Sequence, residues 1–151
     1  MKIIYHCYGG THSSVMAASI HLGILDSRKR PSKKELLACP YFDEVDGKDS
    51  GRINFVGRDE NNNEIYVMGC KGAGKIIDTF VEDLTRIMGN DAYDIVMADT
   101  KPCLNIVMKF GGFLSRRLSL LGIGRVFLYF GSRIAFEKIR TLVEQVKEGQ
   151  G

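Results

Sequence analysis

Residues 2–14, KIIYHCYGGTHSS, decide how this chain folds. Lys2–Cys7 is rich in β-branched and aromatic residues, which predicts a short buried strand. Two glycines then permit a tight turn, and the hydroxyl residues after them stand at the start of an apolar helix. A strand, a turn and a helix N-terminus together point backbone N–H groups at one spot, which favours an anion and above all a phosphate. The predicted anion-binding residues are Gly9, Gly10, Thr11, Ser13 and Ser14.

The composition is that of one ordinary globular domain. The chain has 151 residues, of which 44% are hydrophobic and 26% are charged, so we expect a single α/β domain over residues 1–151. A net charge of +3 is too small to indicate nucleic acid as a partner. Neither a signal peptide nor a membrane span is visible, and the four cysteines form no CxxC pair. We therefore expect a cytoplasmic protein with reduced thiols and no metal site.

Strands that alternate with helices predict a three-layer, Rossmann-like α/β sandwich. We expect a mostly parallel sheet of about four strands plus one antiparallel edge strand, Arg52–Val56, which forms a β-hairpin with Glu64–Met68 across the turn-rich stretch 57–63. The predicted parallel strands are Lys2–Cys7, Glu64–Met68, Asp94–Ala98 and Arg125–Phe130. After the second of these, a helix is expected to bury an apolar stripe of Ile76, Ile77, Phe80, Val81, Leu84, Ile87 and Met88. Ligands of such sheets bind at the carboxyl ends of the strands, so the loops there are the candidate sites.

Two residues of the first loop are candidates for catalysis. Cys7 ends the first strand, and its thiolate would be a nucleophile beneath the backbone amides of the loop. His12 has an ordinary pKa near neutrality, which suits a general acid–base or a charge partner for an anion. The alternative is that His12 is an exposed loop residue and Cys7 a small core residue.

A second glycine-rich stretch, Gly69–Lys75, matches G-x-x-x-x-G-K between a strand and a helix, the setting of the nucleotide phosphate loop. Ile76 stands where that motif has Ser or Thr, so the hydroxyl that binds Mg²⁺ is missing. Three interpretations stay open: a nucleoside triphosphatase, a turn that adds lysine charge to a shared anion site, and a structural turn. The residues concerned are Lys71, Gly72, Gly74, Lys75 and, at the end of the next strand, Asp99.

The first loop resembles two known kinds of phosphate loop. Cys7, five residues and then Ser13-Ser14 are similar to the loop of low-molecular-weight phosphatases and of cysteine-phosphorylated sugar phosphotransferase subunits. The phosphatases have an arginine where this chain has Ser13, so the resemblance to them is incomplete.

The whole chain resembles a family of small uncharacterised bacterial proteins, a domain of unknown function. The stretches that carry this resemblance are YGGTHSS at 8–14, PYFD at 40–43 and NEIYVMG at 63–69. That resemblance implies a source mainly in spore-forming, Gram-positive anaerobes and a cytoplasmic setting, but no activity.

Two functions follow from these patterns. The first is a small protein that binds a phosphorylated metabolite or nucleotide at the glycine-rich loops, as a hydrolase or phosphotransferase; its cofactor is unknown. The alternative is a non-catalytic regulatory or assembly protein. In that case the loops are structural, and an apolar helix at 104–121 helps to form a homodimer.

Overall fold

The computed structural model describes residues 1–44, 50–89, 94–107 and 121–149, and the side chains of all of these except 121–125. The elements in chain order are β1 (Lys2–Cys7), α1 (Ser13–His21), α2 (Lys33–Leu37), β2 (Ile53–Arg58), β3 (Glu64–Gly69), α3 (Gly74–Met88), β4 (Ile95–Asp99), a 3₁₀ turn (Lys101–Cys103) and α4 (Leu121–Glu148). None of the described helices is long and apolar enough to cross a membrane.

The described strands form one sheet in the order β2-β3-β1-β4. β1 is parallel to β3 on one side and to β4 on the other, whereas β2 pairs antiparallel with β3. The predicted α/β class, with a mostly parallel sheet and an antiparallel edge, is confirmed. Because the chain leaves β1 toward β3 and later returns to its other side, the carboxyl end of β1 is the place where strand order reverses.

Helices cover both faces of the sheet. Ile3 and Tyr5 of β1 join the larger core, to which α1 and α4 contribute, whereas Ile4 packs with Met68 and the half-buried Ile77 of α3 on the other face. All nine residues of α1 are buried. The apolar helix predicted after the first loop is therefore confirmed, and the domain encloses it.

The predicted strand Arg125–Phe130 is wrong, because these residues belong to α4. A short apolar run satisfies a buried strand or a buried helix equally well, so its composition did not discriminate between them. The burial pattern distinguishes the helix from the strand, because the buried residues recur at helical spacing. They are Leu128, Ser132, Ala135, Phe136, Ile139 and Val143. The small residues Gly131 and Ser132 are thus part of one continuous helix. The predicted apolar helix at 104–121 lies mostly outside the described residues.

The predicted core stripe of α3 is also largely wrong. Ile76, Phe80 and Ile87 are 73%, 63% and 82% exposed, and Leu84 and Met88 are exposed as well. Ile77 and Val81 are half-buried, together with the polar Asp78 and Thr85. The part of the chain that the structure describes therefore leaves one apolar face of α3 uncovered.

A buried polar triad joins β1, α1 and the β2–β3 turn. The Tyr5 hydroxyl lies 2.8 Å from Nδ1 of His21, and Nε2 of His21 lies 3.1 Å from Oδ2 of Asp59. The phenol donates to Nδ1, so the imidazole carries its hydrogen on Nε2 and donates it to Asp59. Oδ1 of Asp59 also accepts the backbone N–H groups of Asn61 and Asn63. The triad fixes the predicted hairpin, which is confirmed, to the core.

Candidate functional site

The sulfur of Cys7 is the centre of the first loop. It accepts a hydrogen bond from the backbone N–H of Gly10 at 3.0 Å and lies 3.3 Å from the hydroxyl of Ser14, at the N-terminus of α1. Burial of the thiol raises the pKa of Cys7, but the hydrogen bonds, led by those from Ser14, outweigh it and hold that pKa below its ordinary value. The loop therefore stabilises negative charge at the place where the sequence predicts an anion.

The other three thiols have the opposite character. Burial raises the pKa of Cys39 and of Cys103, and it raises the pKa of Cys70 to about 11. Cys70 follows β3 directly, but it packs on the α3 face of the sheet, whereas Cys7 faces α1. Among the described residues, no group of three or more His, Cys, Asp or Glu side chains is arranged to hold a metal ion. Of the four cysteines, Cys7 is the one whose pKa is lowered.

The two glycine-rich loops meet at the carboxyl end of β1 and β3. The backbone N–H of Cys70 donates to the carbonyl of Cys7, and that of Lys71 donates to the carbonyl of Tyr8, both at 2.8 Å. Gly10 and Gly69 pack backbone against backbone: a Cβ on Gly10 would lie 2.5 Å from the nitrogen of Gly69. Gly10 also has a positive φ of 73°, which L side chains rarely adopt. The first loop is thus shaped by a second loop far along the chain.

His12 is paired with an acid that the sequence analysis did not single out. Its Nε2 lies 3.3 Å from Oδ1 of Asp43, and its ring meets that of Phe42 edge to face at 5.5 Å. The backbone N–H of Asp43 donates to the carbonyl of Thr11, so the PYFD segment lies against the loop. Asp43 and Tyr41 both have a positive φ, an uncommon conformation that clusters at functional sites. An Asp that orients a His is the usual support of a general acid–base.

Thr100 is the other residue that the sequence analysis missed. It follows β4 and is fully buried, and its hydroxyl lies 2.9 Å from the hydroxyl of Ser13. No local pattern marks it, because the two residues are 87 positions apart in the chain.

The remaining predicted residues divide between surface and core. Lys71, Gly72 and Lys75 are exposed, whereas Gly74 is buried and begins α3. Asp99 pairs with Lys101 at 3.4 Å, so the structure places this carboxylate in a salt bridge. The roles predicted for these residues in binding stay predictions.

A second polar cluster lies on the α3 face of the same edge. His6 is fully buried, with Nε2 2.9 Å from Asp78 and Nδ1 3.8 Å from Asp99, although neither contact has the alignment of a hydrogen bond. Asp78 and Asp99 line a groove of about 590 Å³ between α3 and β4. This cluster is separated from Cys7 by the strand itself, since His6 and Cys7 point to opposite faces of the sheet.

Comparisons with known proteins show a family but no activity. No curated protein and no solved structure matches the chain. A family model does match, over residues 2–148, and it confirms the resemblance to a domain of unknown function. The chain therefore belongs to the family described as "Protein of unknown function (DUF3189)".

Proposed function

We propose that this protein binds a phosphorylated small molecule at the Cys7 loop and that Cys7 accepts the phosphoryl group. The observation that carries the proposal is the sulfur of Cys7, which accepts the Gly10 N–H at 3.0 Å beside the Ser14 hydroxyl, at the N-terminus of α1. The thiolate is the nucleophilic form of cysteine, and these hydrogen bonds favour it by lowering the pKa of Cys7. The same N–H groups and hydroxyls suit phosphate oxygens. We also propose that the protein acts in the cytoplasm, where thiols stay reduced.

The chemistry follows from the groups present. The thiolate attacks phosphorus, the S–P bond forms, and the bond from phosphorus to the leaving oxygen breaks. Protonated His12, oriented by Asp43 at 3.3 Å, gives its proton to that oxygen. In the second step, neutral His12 takes a proton from the attacking water or acceptor hydroxyl, the oxygen bonds to phosphorus and the S–P bond breaks, which returns the thiolate and protonated His12. Water completes a hydrolase cycle, and an acceptor hydroxyl completes a phosphotransferase cycle.

The loop lacks an arginine, and this restricts the substrate. With Ser13 where the phosphatases have arginine, backbone N–H groups and hydroxyls supply the hydrogen bonds to phosphate oxygens. We therefore propose that the rest of the ligand contributes to binding, and that exposed Lys71 and Lys75 of the second loop contribute charge. Free phosphate is expected to bind more weakly than a phosphorylated metabolite or nucleotide.

The first test is a ligand screen by thermal unfolding with phosphate, sulfate, nucleotides and sugar phosphates, with and without Mg²⁺. A ligand at 100 times its dissociation constant adds about 2.7 kcal/mol to the free energy of unfolding and raises the melting temperature. We expect Ser14→Ala to remove the shift, because the hydroxyl beside the sulfur is lost. Ser19→Ala, a change at another buried serine of α1, is the matched control and keeps the shift.

The second test follows the phosphoryl group itself. Incubation with acetyl phosphate is expected to add the mass of one phosphoryl group to the peptide that contains Cys7, and Cys7→Ser is expected to abolish the addition. Cys70→Ser, at a thiol with a raised pKa, is the control and retains it. If no ligand raises the melting temperature and Cys7 is never labelled, the proposal is wrong.

A second candidate function, assembly with another copy of the chain, is favoured by the uncovered apolar face of α3. Ile76, Phe80 and Ile87 are each more than half exposed there. Sedimentation at increasing protein concentration checks it: a homodimer that Phe80→Glu converts to a monomer supports assembly, and a monomer at every concentration contradicts it.

A further inference from the structure

Two fully buried hydroxyls, those of Ser13 and Thr100, lie behind the thiol of Cys7. Thr100 binds the carbonyl of His6 twice, with its backbone N–H and with its hydroxyl, each at 2.9 Å. A carbonyl oxygen only accepts, and a hydroxyl has a single hydrogen. The hydroxyl of Thr100 therefore uses its hydrogen on His6, and only its lone pairs face other groups.

This assignment fixes the direction of the next hydrogen bond. The hydroxyls of Ser13 and Thr100 lie 2.9 Å apart, so one of them donates to the other. Since the hydrogen of Thr100 is already engaged, Ser13 donates to Thr100. A hydrogen bond from the Ser13 hydroxyl to the sulfur would lower the pKa of Cys7, but the only hydrogen of that hydroxyl points to Thr100.

We propose that Thr100 is a positioning residue of the Cys7 site, which acts by holding the hydroxyl hydrogen of Ser13 away from the sulfur. The thiolate then keeps the Gly10 N–H at 3.0 Å and the Ser14 hydroxyl at 3.3 Å as its donors, without a further one from Ser13. A thiolate with fewer donors is a stronger nucleophile, because nucleophilicity falls as the pKa falls. The inference rests on the proposed function, in which Cys7 attacks phosphorus.

The test measures the pKa of Cys7 in the full chain without ligand, from the pH dependence of its alkylation by iodoacetamide. Peptide mass spectrometry separates Cys7 from the other three cysteines. Thr100→Val frees the Ser13 hydroxyl to donate to the thiolate, so we expect the pKa of Cys7 to fall by about one unit, the usual effect of one hydrogen bond to a charged group. Thr100→Ser keeps the acceptor and is expected to leave the pKa unchanged.

A double-mutant cycle identifies the route of the effect. If Thr100 acts through Ser13, Thr100→Val changes nothing in a Ser13→Ala background. Ser13→Ala alone is expected to keep the wild-type pKa, because Ser13 does not donate to the sulfur, whereas Ser14→Ala raises it. These two single variants test the hydrogen-bond direction even if Thr100→Val does not fold.

The titratable groups near the sulfur are unchanged in these variants: Cys70 directly after β3, the His12–Asp43 pair on the loop side, and His6 on the opposite face of β1. A pKa of Cys7 that stays constant or rises in Thr100→Val overturns the inference, as does a fall that persists without Ser13. A failure of the proposed function can be told apart from a failure of this inference. In that case Cys7 of the wild-type chain would titrate at its ordinary value or take no phosphoryl group.

Discussion

Gly10→Ala is expected to destabilise the protein by about 3 kcal/mol, more than half of the stability of a marginal domain. Two costs combine: an alanine is strained at a φ of +73°, and its Cβ would meet the backbone nitrogen of Gly69 at 2.5 Å. Backbone atoms cannot move aside as a flexible side chain does, so one of the two loops has to shift. Urea unfolding of the wild type and the variant, followed by circular dichroism, measures the difference.

The chain offers a matched control for this prediction in the second loop. Gly72 is exposed, its φ lies outside the left-handed region, and a Cβ there would have no heavy atom within 4 Å. We expect Gly72→Ala to change the free energy of unfolding by less than about 0.5 kcal/mol. Gly69→Ala is expected to act like Gly10→Ala, since its Cβ would lie 2.8 Å from the carbonyl oxygen of Gly9. Equal stability of all three variants would show that the two loops do not pack on each other.

Asp59→Ala is expected to lower the free energy of unfolding by about 3 kcal/mol at pH 7. The change removes the acceptor of two backbone N–H groups in the turn and leaves the buried Nε2–H of His21 without its partner. A buried donor without an acceptor keeps the whole cost of its desolvation. Urea unfolding checks the value, with Glu60→Gln as the control. Glu60 is an exposed acid in the same turn whose salt bridge to Lys147 is expected to contribute less than about 1 kcal/mol.

The pH dependence of the free energy of unfolding, which Asp59 and His21 both affect, provides a second check on the triad. Hydrogen bonds hold the pKa of Asp59 at about 2 although burial opposes them, and burial lowers the pKa of His21. Each group binds fewer protons in the folded state than in the unfolded state, so each stabilises the fold above its ordinary pKa and loses that contribution as the pH falls. Wild-type stability is expected to decline below about pH 6.5 through His21 and again below about pH 4 through Asp59.

A carboxyl NMR titration of the folded protein isolates Asp59 from His21, and Asp59 is expected to stay ionised at pH 3.5, where an ordinary aspartate is largely protonated. An Asp59 carboxyl that is largely protonated at pH 3.5 would contradict its depressed pKa.

The local parts of the fold could be predicted from the sequence. The β1–loop–α1 unit and the hairpin both follow from turn residues that lie between segments of regular apolar pattern. Predictions failed where a short pattern fits two structures. The apolar run 125–130 fits a strand as well as a helix, and an apolar helical stripe such as that of α3 shows a preferred face but not what covers it.

The amino-acid sequence alone shows that Cys7, two glycines and two serines stand where a buried strand passes into a buried helix. Local chain geometry is enough to turn those residues toward one point. Three contacts arise only in the folded chain: Gly69 packs on Gly10, Asp43 meets His12, and the hydroxyl of Thr100 meets that of Ser13. The last two contacts join residues 31 and 87 positions apart, and the contact of Ser13 with Thr100 depends on the position of β4 beside β1 in the order β2-β3-β1-β4. No local pattern encodes that order, because it is set by how the whole chain buries its apolar surface.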